Sequence, residues 1–386
     1  MDLVGWQETK ERYAAWWSGD LKGPILKVFA ERASHRTGTA LSYQVEAEWQ
    51  SEALAQAIQA GMGPAPHYVG LGPDVTEEER RRFWLDMGGR VALFESVVSG
   101  VRCFRDGFIH FFPDLGSAVA ASFLGVEPRF GSRSVLNESE PSDTLEELEE
   151  RIAFDPENRW WRASLELLRA ALAAYRGRFV VGFPNLGGAL DTLASLRGTQ
   201  NLLMDLVLAP EMVHKLEAKV TEVWTRYLEE IHSVICESGQ EGTTSWTGIW
   251  GAGKSYPIQC DLSVMVSPGM FQAFGVPSLR AMGQAVDQCI LHYHGESPKK
   301  TLDRILEIEE IDAIQWSPGV HDPAMDDESW LPIYRKITER GKGLVLYEVR
   351  PNQVEWLVRQ LPAGRLAMNV LCESEEEAEE LVRRHG

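Results

Sequence analysis

The sequence predicts an α/β fold, a (β/α)8 barrel with an N-terminal helical extension. Short apolar runs alternate with stretches of helical periodicity, the pattern of parallel strands joined by crossover helices. From residue 243 onward this rhythm recurs at roughly 25 to 30 residues, too regular for a mixed α+β layout. The 386 residues are 44% hydrophobic and 25% charged, enough for one large barrel or two average domains. The division falls near residue 95, with 1–95 as a helical extension packed on the barrel and 96–386 as the barrel domain.

In chain order, GWQETKERYAAWWSGDL reads as a helix. An irregular stretch with Trp49 follows, then a second helical segment, TEEERRRFWLDMGGRVALFESVV. Apolar runs predict strands near 97–103, 107–112, 179–184, 243–250, 261–266, 288–293, 312–316, 343–347 and 366–371. Helical spacing fills 160–176, 199–232, 270–285, 298–308, 329–340, 352–360 and 374–384. Two helices open with Ser before Pro, in SPGMFQAF and SPKKTLDRIL; the proline suits the first turn.

The net charge is 38 − 57 = −19, which disfavours a nucleic-acid partner, because phosphate binding needs basic patches. Much of the acid sits on solvated helix faces such as ESEEEAEE. No apolar run is long enough to span a bilayer, and the N-terminus lacks the basic region and cleavage site of a secretory signal. Cysteines 103, 236, 260, 289 and 372 are scattered and odd in number, which points to a reducing, cytoplasmic setting.

The chemistry is concentrated where the run Cys289-Ile290-Leu291 ends in His292 and His294. Residues i and i+2 of a strand share a face, so both imidazoles point the same way. In a barrel the active site is built at the C-terminal strand ends. Cys372 ends the last predicted strand, so the three side chains could converge. Two imidazoles and a thiolate suit a catalytic zinc with one open position. The alternatives are a polar strand terminus, a pair of substrate-binding imidazoles, and a small core thiol.

Several blocks resemble the uroporphyrinogen decarboxylase superfamily: FFPDLGSAVAASFLGVEP (111–128), LASLRGTQNLLMDLVLAPEMVHKL (193–216), CDLSVMVSPGMFQAFGVPSLRAM (260–282), the histidine block, and NVLCESEEEAEELV. The resemblance implies a (β/α)8 barrel. It is closest to the zinc-dependent corrinoid methyltransferase branch, whose His-x-Cys and later Cys match His292, His294 and Cys372, with His in the middle place. The decarboxylase's own arginine-bearing N-terminal segment and its N-L-G-H-G are missing, so the eight carboxylates of uroporphyrinogen lack their partners. FPDLG resembles that enzyme's F-S-D motif, which makes Asp114 a candidate for the pocket; the alternative is a turn or cap aspartate. A zinc held by two imidazoles and one thiolate is more positive than one held by two thiolates. It would favour polarising a bound oxygen or nitrogen over activating a thiol.

Cys260 is a possible fourth ligand or a core thiol. Tyr347 and Glu348 end the strand GLVLYE as possible acid–base or supporting groups. Trp246 and Trp316, at strand ends, are candidates to line a corrinoid pocket, as is Trp250, or else they fill space between barrel and helices. Trp84, Trp160 and Trp161 read as helix packing. GAGK at 251–254 is not a P-loop and supports only a glycine-rich loop bordering the pocket. The expected activity is a zinc-dependent methyl transfer between a corrinoid, free or on a partner protein, and a small substrate. A decarboxylase-like lyase and a non-catalytic tetrapyrrole binder are the alternatives, and a homodimer is possible.

Overall fold

The computed structural model describes residues 5–31, 75–131, 134–138, 144–175, 177–294, 298–319 and 322–385. Its strands are β1 (Ile25–Glu31), β2 (Val101–Arg105), β3 (His110–Phe111), β4 (Arg129–Phe130), β5 (Val135–Leu136), β6 (Val180–Val181), β7 (Ser255–Gln259), β8 (Gln288–His294), β9 (Ala313–Ser317), β10 (Gly343–Val349) and β11 (Leu366–Cys372). Seven of them form a central sheet in the order β2-β1-β11-β10-β9-β8-β7, every pair parallel except β1 with β2. β3 and β6 make a separate parallel pair, and β4 and β5 a small antiparallel one. The architecture is therefore α/β with a mostly parallel sheet. Among the described residues the strand ladders do not close into a ring.

Most predicted elements are found within a few residues of their expected bounds, and the exceptions have local causes. The expected helix over 199–232 is two, Thr199–Leu208 and Pro210–Glu237. Pro210 lacks the N–H that would continue the first helix, and it starts the second. The segment 243–250 folds back instead of extending: Gly248 takes φ 59 and Thr243 bridges Gly251. Residues Asp261–Met265 form a 3-10 turn, because the Asp191 carboxylate accepts the backbone N–H groups of Asp261 and Leu262 (3.0 and 2.9 Å). The strand of this region is β7, SYPIQ. Ser267 caps its helix as expected, accepting from Met270 N at 3.2 Å, whereas Ser297 lies outside the described residues.

β1 is absent from the strands that periodicity predicts, since Lys27 interrupts its apolar run. It nevertheless lies inside the sheet, between β2 and β11. The helix Trp6–Ser18 is fastened to it by Asp106, which is fully buried. That carboxylate accepts from Leu26 N (2.8 Å) and from Arg12 Nε and Nη2 (2.6 and 3.0 Å).

Two apolar clusters pack on the strands. The larger joins one face to the surrounding helices and includes Leu26, Leu291, Ile314, Leu346 and Met368. The smaller collects Ile25, Phe108, Val180, Ile290, Ala313, Val345 and Ala367 with Tyr13, Trp16 and Trp250. Strands far apart in the sheet order meet there, so the sheet curls around this cluster. Trp16 closes it from below: a Cβ added at Gly343 would lie 2.6 Å from the Trp16 ring, so glycine is the residue that fits.

Candidate functional site

Strand alternation decides which side chains join the inner cluster. Ile290 belongs to it, so His292 and His294, two and four residues on, share its side. By the same count Lys27 follows Ile25, His110 follows Phe108, Gln315 follows Ala313, Tyr347 follows Val345, and Asn369 follows Ala367. Gln259 of β7 stands opposite His292 in register. A row of polar side chains thus lies above an apolar floor, displaced toward the C-terminal ends of the strands. His292 is half-buried, His294 exposed, and the rest are buried.

The row is tied together by hydrogen bonds. Gln315 donates its Nε2 to the Trp316 carbonyl (3.1 Å), which leaves its Oε1 to face His292 Nδ1. Because that oxygen can only accept, Nδ1 is the donor of the pair. Gln259 donates to Asp261 Oδ2 (3.0 Å), and its own Oε1 has no hydrogen-bond partner. Tyr347 Oη donates to the Thr247 carbonyl (3.2 Å), and Lys27 Nζ reaches the same oxygen at 3.4 Å. Burial lowers the Lys27 ammonium to about 7, opposed in part by the Cys103 thiol. Burial, and then the charge of Lys27, hold His110 well below its ordinary value, so it is neutral.

The structure brings the two histidines together, ring centroids 5.9 Å apart, but it does not bring Cys372 to them. Leu366, Met368, Val370 and Cys372 all join the outer cluster, while Ala367 joins the inner one. Cys372 thus points to the helices, on the opposite face from the imidazoles, with β9 and β10 between their strands. It is 3% exposed, and burial followed by the Glu377 charge pushes its thiol up to about 12. Among the described residues no three His, Cys, Asp or Glu side chains are grouped to hold a metal ion. The residues present do not fit the expected zinc centre.

Cys236 is exposed, Cys103 half-buried, and Cys260, Cys289 and Cys372 buried. An aromatic disulfide reagent should label Cys236 first in the native protein and Cys372 only on unfolding. Fast labelling of Cys372, read by peptide mass spectrometry, would return that thiol to the pocket.

The other candidates divide in the same way. Cys260 is a core thiol held well above its usual value, first by burial and then by the Asp191 charge. Asp114, just past β3, accepts from Gly116 N at 2.8 Å in a tight turn, and Arg90 Nη2 donates to its carbonyl at 2.6 Å. Glu348 is an exposed non-glycine residue at φ 53, where the β10–β11 register jumps between Leu346 and Val349. Desolvation raises its carboxyl above the usual range. Trp246 packs on Phe112 and Tyr256 (6.1 and 5.7 Å), and Trp316 on Trp330, Tyr334 and Tyr293 (5.0, 5.9 and 6.0 Å). Trp316 directly follows the inward Gln315 in β9, so it points away from the row. Trp84, Trp160 and Trp161 also pack in the core, and Trp250 joins the floor. GAGK precedes β7, so it lies at the N-terminal strand end and does not border the row.

Sequence reasoning missed Lys27, His110, Gln259, Gln315 and Asn369. The available signal was a lone polar residue in each apolar run, two positions after an apolar one.

No family model matches the chain, and no curated protein matches it in sequence. Among solved structures it is similar to a methyltransferase from Methanosarcina mazei, with a TM-score of 0.52, 12% identity, and 98% of each chain covered. The likeness is one of fold. Among the described residues no helix is long and apolar enough to cross a membrane.

Proposed function

We propose that the chain is a methyltransferase-like enzyme of the uroporphyrinogen decarboxylase type. In this reading the eight parallel strands β1, β3 and β6 to β11 form a (β/α)8 barrel, and the active pocket lies at their C-terminal ends. The observation that carries the proposal is the inner polar row: eight polar side chains from seven strands, two of them from β8, above an apolar floor. Buried polar groups are costly, and a row of them at the catalytic end of such a fold marks a binding site. The fold shared with a methyltransferase fits the same reading.

The methyl group would pass between a corrinoid, free or carried by a separate protein, and a small acceptor. An acceptor X–H must lose its proton as it gains carbon. His292 Nε2 can take that proton, since Gln315 holds the proton of the other ring nitrogen in place. The amides of Gln259 and Asn369 supply donors and acceptors that orient a polar substrate. No step is routed through zinc, because the third donor lies on the other face of the sheet.

The test is methyl transfer from methylcobalamin to a panel of thiol, amine and hydroxyl acceptors, followed by absorbance and mass spectrometry. Wild-type protein should turn over, and His292→Ala should lose about 100-fold or more in kcat/KM, the usual weight of a general base. A wild-type chain that moves no methyl group to any acceptor overturns the proposal. So does a His292→Ala variant with undiminished turnover.

A further inference from the structure

The methyl-transfer reading leaves Lys27 unused. This side chain is 1% exposed and rises from β1 directly above the floor residue Ile25. Its Nζ lies 5.9 Å from the ring centroids of both Phe29 and Phe108 and 3.4 Å from the Thr247 carbonyl. Tyr347, reaching in from β10, donates its hydroxyl to that same carbonyl, so phenol and amine converge on one oxygen. The imidazole of His110 is near enough to feel the charge on Lys27, and the Cys103 thiol acts on Lys27 from β2. A lysine in such surroundings keeps a nucleophilic lone pair at neutral pH, which an exposed lysine does not.

We propose that Lys27 captures a small carbonyl compound as an imine at the inner row, with Tyr347 moving the protons. The amine lone pair attacks the carbonyl carbon, and the C=O π pair moves to oxygen, which takes a proton from the Tyr347 hydroxyl. The nitrogen gives up a proton to the Tyr347 phenolate. Tyr347 then protonates the carbinolamine oxygen, which leaves as water while the nitrogen pair forms the C=N bond, and the remaining N–H proton returns to the phenolate. Amine plus carbonyl gives imine plus water, and no oxidant or reductant is consumed. The inference depends on the placement of Lys27 and not on methyl transfer.

The test treats the full chain with glyoxylate and sodium cyanoborohydride, whose hydride fixes an imine as a stable secondary amine, and maps the adduct on peptides. After brief exposure at pH 7, Lys27 should carry at least about tenfold more adduct than the exposed Lys22 or Lys215. The yield at Lys27 should climb between pH 6 and pH 8. Tyr347→Phe should slow it several-fold without changing Lys22, and Lys27→Met should remove it. Labelling at Lys27 that is absent, or no faster than at Lys22, overturns the proposal. The wild-type comparison decides this even if Lys27→Met does not fold. No methyl donor is present, so a negative result leaves the methyl-transfer reading standing.

Discussion

Trp316→Ala should destabilise the protein by roughly 3–5 kcal/mol, the range for emptying a large buried aromatic site. Trp316 is fully buried on the outer face of β9, with Trp330, Tyr334 and Tyr293 around it. These rings come from the 3-10 turn Glu328–Trp330, the helix Leu331–Glu339 and β8, and none can close the gap without moving its own element. The loss should appear as a lower denaturation midpoint, while turnover per folded molecule stays near wild type. The neighbouring substitution Gln315→Ala should do the reverse. It removes the partner of His292 and lowers turnover, at a far smaller cost in stability. A Trp316→Ala protein of normal stability and reduced ligand binding would return this indole to the pocket.

Glu217→Gln should stabilise the protein at pH 8 and leave it unchanged at pH 4. Glu217 is buried on the helix Pro210–Glu237, and its Oε1 has no hydrogen-bond partner. Burial raises its carboxyl to about 8, with Ser278 opposing in part. In the unfolded chain the same group titrates near the usual ~4.3. Between those values the folded protein holds a proton that the unfolded chain has released, so stability falls as pH rises and levels off above about 8. Each pH step of one across that window costs about 1.4 kcal/mol, so glutamine should recover a few kcal/mol at pH 8. Asp191 adds a second decline in the same direction. Burial and then the Asp261 charge push it up to about 7. Urea midpoints at the two pH values decide the matter. An equal gain at both, or none at pH 8, would mean that Glu217 is not held protonated.

How far the sequence could be read depended on which property each residue exposes to inspection. The paired histidines were legible because i and i+2 share a side whatever the register. Cys372 was misread by a single position, since alternation sends residue 371 inward and 372 outward. Trp316 and Gln315 show the same hazard: the conspicuous aromatic is core, and the unremarkable amide beside it touches the histidine. Lys27 was hidden because one charge in ILKVFAE obscures the strand, although that charge is what marks the inner face. Helix positions were easier to read, since 3.6-residue spacing persists over many turns, and Pro210 alone splits the longest.

The pairing of β1 with β11 joins residues 25–30 to residues 367–372. During synthesis, Ile25 to Ala30 must wait until residues 367–372 have left the ribosome before this neighbour exists. Until then ribosome-bound intermediates carry an unmatched hydrogen-bonding edge on β1, a slow and aggregation-exposed route, so chaperone demand should fall once those codons have been translated.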